Sequence, residues 1–438
     1  MSAFSYRSRL ASRAALLASA LATTLVLSGL GAASATAAGV CTGESIQGEG
    51  AALQRVPQEK WNPGFNANGE GCIGGPTVTT INGGLEMAAW GLNGVPFNGE
   101  DVYVSADAPP FGPVGVEGTE LNVLRDNLRK EGAEVNETDL VVIPVTQTSI
   151  AIVVNLPAEC EVEKIKNAEL EQVFRGSITT WAGLSTDNGG KGCSTAIKRV
   201  VRRDPAAMTY QLKHYLSLFN GANVCTAELG NLPWVQLQSF TAVGGVVPNQ
   251  VWPDCGGTTE ILRPANNGSG ELVNKVNATD SSIGYAGLPE VKAHPSAEQT
   301  ILKVQNSSLP TYVLPYTNTG SEAACGEVTY NRPKSPAGAE FTTWAEAAEN
   351  PANLDWSAVY GSNPTIGGTK YPICTLTWSI AATNSSAVFG ANAKTTLVDY
   401  LSYLLAAEGG RKDLSGNWYR ELPSGPAEVA NEAVESIK

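Results

Sequence analysis

"LVVIPVTQTSIAIVVNLP", residues 140–157, is the stretch on which the fold turns. Apolar, largely β-branched residues run along it without polar alternation, on either side of Gln147-Thr148-Ser149. A strand covered on both faces reads as such a continuous apolar run. The pattern predicts two extended apolar segments around a polar kink. The period then changes. "NAELEQVFRGSITTW" sets Leu170, Val173 and Phe174 on one helix face, with Gly176 ending the helix. "AIKRVVR" returns to a strand, and "DPAAMTYQLKHYLSLFN" predicts a helix with Asp204 as N-cap and Pro205 at its first position. Its stripe is Leu212, Tyr215, Leu216 and Phe219. Strands alternating with helices favour an α/β fold.

The alternation continues outward. "SSIGYAGLPEV" predicts a short strand and a turn, "YPICTLTWSIAAT" a strand, and "KTTLVDYLSYLLAAEGG" an amphipathic helix closed by Gly409-Gly410. Between about residues 289 and 371 Pro, Asn, Gly and Ser dominate, which predicts a loop-rich region. Neither an internal repeat nor a low-complexity linker interrupts the chain.

At the other end, Arg7, Arg9 and Arg13 precede an uncharged apolar run that closes on Ala35-Thr36-Ala37. This is the pattern of a secretory signal over residues 1–38, and the run is too rich in small residues for a good spanning helix. Cys41 follows Ala38-Gly39-Val40, which is no lipobox, so a secreted or periplasmic protein without lipid anchor or transmembrane segment is expected. Without the three signal arginines, 26 basic side chains face 42 acidic ones, a net charge of −16. Such a surface repels nucleic acid and anionic lipid.

The cysteines, Cys41, Cys72, Cys160, Cys193, Cys225, Cys255, Cys325 and Cys374, are even in number in an exported chain, which argues for disulfides. Their spacing suggests that sequence neighbours pair, each closing a loop of about 30 to 50 residues, although 105 connectivities are open. With no C-x-x-C and only His214 and His294, neither a metal site nor a cofactor is expected. Catalysis finds little support either. Gly268-Ser269-Gly270 lacks the spacing and setting of a nucleophile elbow, and Asp254 near Glu260 reads as solvated loop charge.

"VVRRDPAAMT", residues 200–209, sets a guanidinium beside a helix N-terminus, which is how a chain cradles an anion. Together with it, several segments resemble the extracytoplasmic phosphate-binding proteins of ABC transporters. "IQGEGAAL" resembles the family's opening strand and glycine turn, and "VYVSADAPP" its G-x-S-D-x-P element. "IPVTQTSIAIVVNLP" resembles the crossover strand, and "ELEQVFRGSITTW" the helix ending in F-x-G-x-I-x-x-W. "VVRRDPAAMT" falls where the family reads near R-x-D-G-S-G-T, and "SIGYAGL", "YPICTLTW" and the C-terminal helices complete the order.

The resemblance implies a type 2 periplasmic-binding-protein-like fold: two α/β lobes, two crossover strands as a hinge, and a ligand cleft between the lobes. It implies lobe 1 over residues 39–145 and 293–438, with a loop-rich insertion at about 295–370, and lobe 2 over residues 146–292. The implied activity is non-enzymatic binding of phosphate or another small oxyanion by a monomer, with an ABC-transporter permease as partner.

Carried over position by position, Arg202 is the ligand arginine, Asp107 the acceptor from a protonated oxyanion, and Asp204 the arginine's orienting carboxylate or simply the N-cap. Asn82, Ala52, Leu53, Ala207, Met208 and Thr209 fall at further ligand positions. The departures are chemical. Ala206 and Met208 stand where the family has hydroxyls, Pro205 and Ala207 where it has glycines, and Ala52 where it has the opening threonine. A hydrogen bond to a charged group contributes roughly 1.5–3 kcal/mol, so two lost hydroxyls cost about 3–6 kcal/mol, or about two to four decades of affinity. Thr79, Thr80 and Ser105 are candidate substitutes. The alternative is a secreted interaction or scavenging protein that keeps the fold without phosphate transport. Trp181, Trp234 and Trp252 read as core, with Trp252 a candidate cleft wall.

Overall fold

The long apolar run forms one strand, not two. In the computed structural model, Leu140–Asn155 is a single strand with every residue buried. Gln147, Thr148 and Ser149 do not kink it, because their side chains find acceptors sideways. Gln147 Nε2 donates to the carbonyl of Glu421 at 2.7 Å, Thr148 Oγ1 to that of Trp418 at 2.9 Å, and Ser149 Oγ to that of Pro315 at 2.5 Å. A buried polar group that is paired costs little, so the strand runs on.

The structure describes residues 43–49, 52–66, 75–81, 101–106, 139–184, 193–257, 260–306, 311–317, 321–326, 328–361 and 369–438. Among these, ten strands form one mixed sheet: β1 (Ile46–Glu49), β2 (Val78–Ile81), β3 (Asp101–Ala106), β4 (Leu140–Asn155), β5 (Lys198–Val200), β6 (Ile261–Leu262), β7 (Ser282–Gly287), β8 (Gln299–Ile301), β9 (Cys374–Ala382) and β10 (Tyr419–Arg420). The helices that matter here are α1 (Arg55–Asn66), α2 (Asn167–Arg175), α3 (Ala207–Ser217), α4 (Ser269–Asn277), α5 (Leu288–Ala293), α6 (Ala391–Leu405) and α7 (Ser424–Glu435).

The sheet runs β2-β1-β3-β9-β4-β7-β5-β6, with β8 and β10 also pairing with β4. The first half of β4 pairs antiparallel with β9, from Leu140 against Ala382 to Ser149 against Cys374. Its second half pairs antiparallel with β7, from Ile150 against Gly287 to Asn155 against Ser282. The outer strands on both sides are parallel, β1 with β2 and β3, and β5 with β6 and β7. One strand thus carries two half-sheets, and both its faces need cover.

That cover is apolar. Trp61 and Phe65 of α1, Leu397, Tyr400 and Leu401 of α6 and Val434 of α7 close over Val141 and Ile143. Leu170, Val173 and Phe174 of α2, Leu212 and Leu216 of α3 and Leu272 of α4 pack with the β4–β7 half. Each fully buried large apolar side chain contributes about 1.5–3 kcal/mol. Gly284 is what lets α4 lie down on β7, since a Cβ there would stand 2.6 Å from Val276 Cγ2 and 2.9 Å from Leu272 Cδ2.

Gly176 ends α2 in the left-handed region at φ 82°, as its position predicts. Two ends differ from the sequence reading. The turn expected after β7 is the short helix α5, opened by Pro289 in its first turn. Helix α6 stops at Leu405, ahead of Gly409-Gly410, because Ala406 turns extended at ψ 140°.

Disulfides join Cys160 to Cys193, Cys225 to Cys255 and Cys325 to Cys374, all sequence neighbours, 33, 30 and 49 residues apart. Cys41 and Cys72 lie outside the described residues. Among the described residues no helix is long and apolar enough to cross a membrane.

Candidate functional site

Arg202 follows β5 and is almost wholly buried, at 2% exposure. Its guanidinium is held from two sides. Nε donates to Asp204 Oδ1 at 2.9 Å and Nη2 donates to Asp204 Oδ2, a bidentate pair. Nη1 donates to Ser269 Oγ at 2.7 Å, on the first residue of α4. A planar fork locked on a carboxylate gives a fixed orientation that a lysine could not. Asp204 is equally buried, so the pair is close to charge-neutral as a unit.

Asp204 is therefore not the cap of α3. The helix begins at Ala207, and its N-cap is Ala206, which has no side-chain acceptor. The carboxylate is drawn back to Arg202, and Asn249 takes over from outside, its Oδ1 accepting the amide of Ala206 at 2.8 Å. The first helical bond runs from the amide of Tyr210 to the carbonyl of Ala206. The amides of Ala207, Met208 and Thr209 have no acceptor among the described residues. These are the orphan donors of a helix N-terminus, beside the arginine.

Thr209 Oγ1 lies 2.5 Å from Tyr285 Oη, and Tyr285 also accepts weakly, at 3.5 Å, from the amide of Arg202. Burial pushes the Tyr285 phenol up to about 12, against the opposing bond from Thr209. Met208 Sδ is 3.9 Å from Ser269 Oγ, so the methionine thioether lies against the serine that holds Arg202.

β7 links this cluster to the start of α1. Tyr285 meets Thr209 and Arg202, and two residues on, at the end of the strand, Gly287 faces Leu53 with room for no Cβ, only 2.6 Å from Leu53 Cδ1. The Leu53 carbonyl accepts from Tyr419 Oη at 2.6 Å, and Arg55 reaches Glu290 of α5 at 2.9 Å. Arg202, Asp204, Ala207, Met208, Thr209 and Leu53 are thus gathered around one strand end. Asp107 and Asn82 lie outside the described residues, as does the side chain of Ala52.

Of the candidate substitutes, Thr80 joins Gln58 and Asn62 of α1 instead, and Thr79 points to the carbonyl of Ile46. The side chain of Ser105 is outside the described residues. Trp252 lies in an aromatic cluster of the core. It is 4% exposed and packs against Phe174, Trp234 and Tyr285. His214 and His294 each meet a backbone carbonyl, of Gly361 and Glu290.

Sequence reasoning missed Ser269, Tyr285 and Asn249. Ser269 carries a signal, a Gly-Ser-Gly opening a helix, that suits an anchor for a guanidinium as well as a nucleophile. Tyr285 and Asn249 carried none, since their roles depend on partners 76 and 43 residues away.

A mixed sheet carried on one long strand, two half-sheets with parallel flanks, and an arginine at a helix N-terminus agree with a family model described as the PBP superfamily domain, which matches residues 123–408. The chain belongs to that superfamily. Its fold is the mixed α/β type 2 periplasmic-binding-protein fold. Among solved structures it is similar to a phosphate-binding protein from Stenotrophomonas maltophilia, at 17% identity and a TM-score of 0.55, over 88% of this chain and 93% of that one. It is also similar to PfluDING, a high-affinity periplasmic phosphate-binding protein solved with phosphate, at 21% identity and a TM-score of 0.56, over 87% and 92%. An ancestral soluble variant of the human phosphate-binding protein aligns at 19% identity and 0.54, over 87% and 92%. At such identities the likeness is one of fold. No curated protein sequence matches the chain.

Proposed function

We propose that this protein is an extracytoplasmic solute-binding protein of the phosphate-like class, holding a small oxyanion between two lobes, residues 39–145 with 293–438 and residues 146–292. The carrying observation is the buried Arg202–Asp204–Ser269 cluster beside three amides at the start of α3 that have no acceptor among the described residues. Guanidinium and helix amides together suit an anion. The phosphate-binding proteins among its structural relatives support the same class. Asp107, Asn82, Ala52 and Leu53 complete the site from the first lobe, residues 1–38 are its export signal, and a permease is the partner. The site binds its ligand and does not transform it.

Isothermal titration of the mature chain with phosphate, sulfate and small carboxylates tests this. Saturable binding of at least one anion, lost in Arg202→Ala, is expected. Silence across the panel at millimolar ligand overturns it. Ala206, Ala207 and Met208, apolar at the helix start, favour a second reading, an interaction or scavenging protein without a transporter. A permease and ATPase encoded beside the gene would exclude that reading.

A further inference from the structure

A second cation lies deep in the same lobe, and it pairs with no carboxylate among the described residues. Lys213, two turns into α3, has no exposed surface. Its Nζ donates to the carbonyls of Leu237 at 2.9 Å, Pro248 at 3.1 Å, Asn249 at 2.7 Å and Val251 at 2.7 Å, and it sits 4.7 Å from the centre of the Trp252 ring. Burial, and more weakly Arg263, disfavour the charge and push its pKa down. The cage argues the other way. A neutral amine offers two N–H donors and a lone pair, which would face carbonyl oxygens, whereas an ammonium offers three donors to four acceptors. The cation–π contact adds to the same preference.

The four carbonyls belong to one irregular segment, residues 237–251, and that segment steers the start of α3. Asn249, fully buried, accepts the Ala206 amide at Oδ1 and donates from Nδ2 to the carbonyls of Ala206 at 3.3 Å and Gln238 at 3.1 Å. Gln250 Nε2 donates to the carbonyl of Arg203, and Arg263 bridges the carbonyls of Gln250 and Arg202. The segment therefore grips both the helix start and the turn that carries Arg202 and Asp204.

We propose that Lys213 is a positioning residue of the anion site, an internal ammonium that holds the 237–251 segment on α3 and, through Asn249, sets the helix's first turn and its free amides. This rests on the oxyanion-binding reading of that turn. The lysine touches no ligand. It replaces what a bound monovalent cation does elsewhere, drawing carbonyls from one segment onto a single charge.

The test uses the mature chain, inorganic phosphate as probe, and the variants Lys213→Met, Asn249→Ala and both together. In Lys213→Met the Ala206 amide should exchange at least about 10-fold faster and phosphate affinity should fall by about one decade. In the Asn249→Ala background, Lys213→Met should change affinity by less than about 2-fold, because the two act in series. Additive losses, or an Ala206 amide that exchanges as in the parent, overturn the proposal. Should Lys213→Met not fold, the parent protein still decides. A ¹⁵N side-chain spectrum showing a slowly exchanging ammonium at Lys213 supports the cage, and a neutral amine or a freely exchanging ammonium overturns it. If the parent binds no phosphate or other anion, the function proposed above fails, while Ala206 exchange and the ammonium spectrum still report whether Lys213 sets the helix start.

Discussion

Two buried arginines three positions apart do different work, and only their partners tell them apart. Arg199 donates from Nη1 to the carbonyls of Phe174 and Pro253 and from Nη2 to Asp254, pinning the end of α2 to the Pro253–Asp254 turn. Burial lowers its pKa to about 10. Arg202 instead forms a bidentate pair with Asp204, whose carboxylate has almost no contact with water. Removing one partner of a buried, hydrogen-bonded charge pair is costly, so Asp204→Asn should destabilise the fold by about 3–5 kcal/mol in denaturant unfolding at pH 7. A loss below about 1 kcal/mol would mean that water or another group already carries the arginine.

Tyr285 gives a pH signature at the same scale. Its phenol ionises near 10 in the unfolded chain and at about 12 in the fold, so the folded state binds the proton more tightly. The stabilisation is fully present below pH of about 10 and is lost as pH rises through about 12. Unfolding free energies measured from pH 9 to 12 should therefore fall less steeply in Tyr285→Phe than in the parent. Identical slopes would place the phenol in contact with solvent.

Among elements, what separates the predicted from the observed is where a polar group finds its partner. The period of α2 and its closing Gly176 were legible because a helix face and a left-handed glycine are local properties. The kink in β4 and the cap of α3 were misread because the deciding partners, Trp418, Pro315 and Asn249, are remote in sequence. Disulfides tie the irregular elements down, each closing a loop that costs the unfolded chain about 3–4 kcal/mol of entropy in the chain-entropy account. They differ in shelter. Cys325 and Cys374 have no exposed surface, whereas Cys225 is exposed on a two-stranded hairpin. Mild reduction of the native protein followed by alkylation should label Cys225 and Cys255 at least about 10-fold faster than Cys325 and Cys374, read by mass spectrometry. Equal labelling would show that reduction proceeds by global unfolding.

For the whole molecule, charge sets the terms of encounter. Residues 39–438 carry a net charge of −16, which repels the anion that the cluster is proposed to hold. Salt screens that repulsion over a Debye length of about 8–10 Å at ordinary ionic strength. Phosphate association, followed by stopped-flow tryptophan fluorescence, should consequently speed up several-fold between low and moderate salt. Slowing with salt, the usual sign of steered association, would reveal a local positive field around the site that outweighs the exterior.

Order of strands and helices, an acidic composition and the three neighbouring cysteine pairs among the described residues were legible without coordinates, because period, composition and spacing are written locally along the chain. That Asp204 holds Arg202 rather than capping α3, what caps α3 instead, and why a lysine lies buried among carbonyls were decided by tertiary packing. A buried polar group accepts whichever partner folding delivers, and here those partners lie up to 67 residues away.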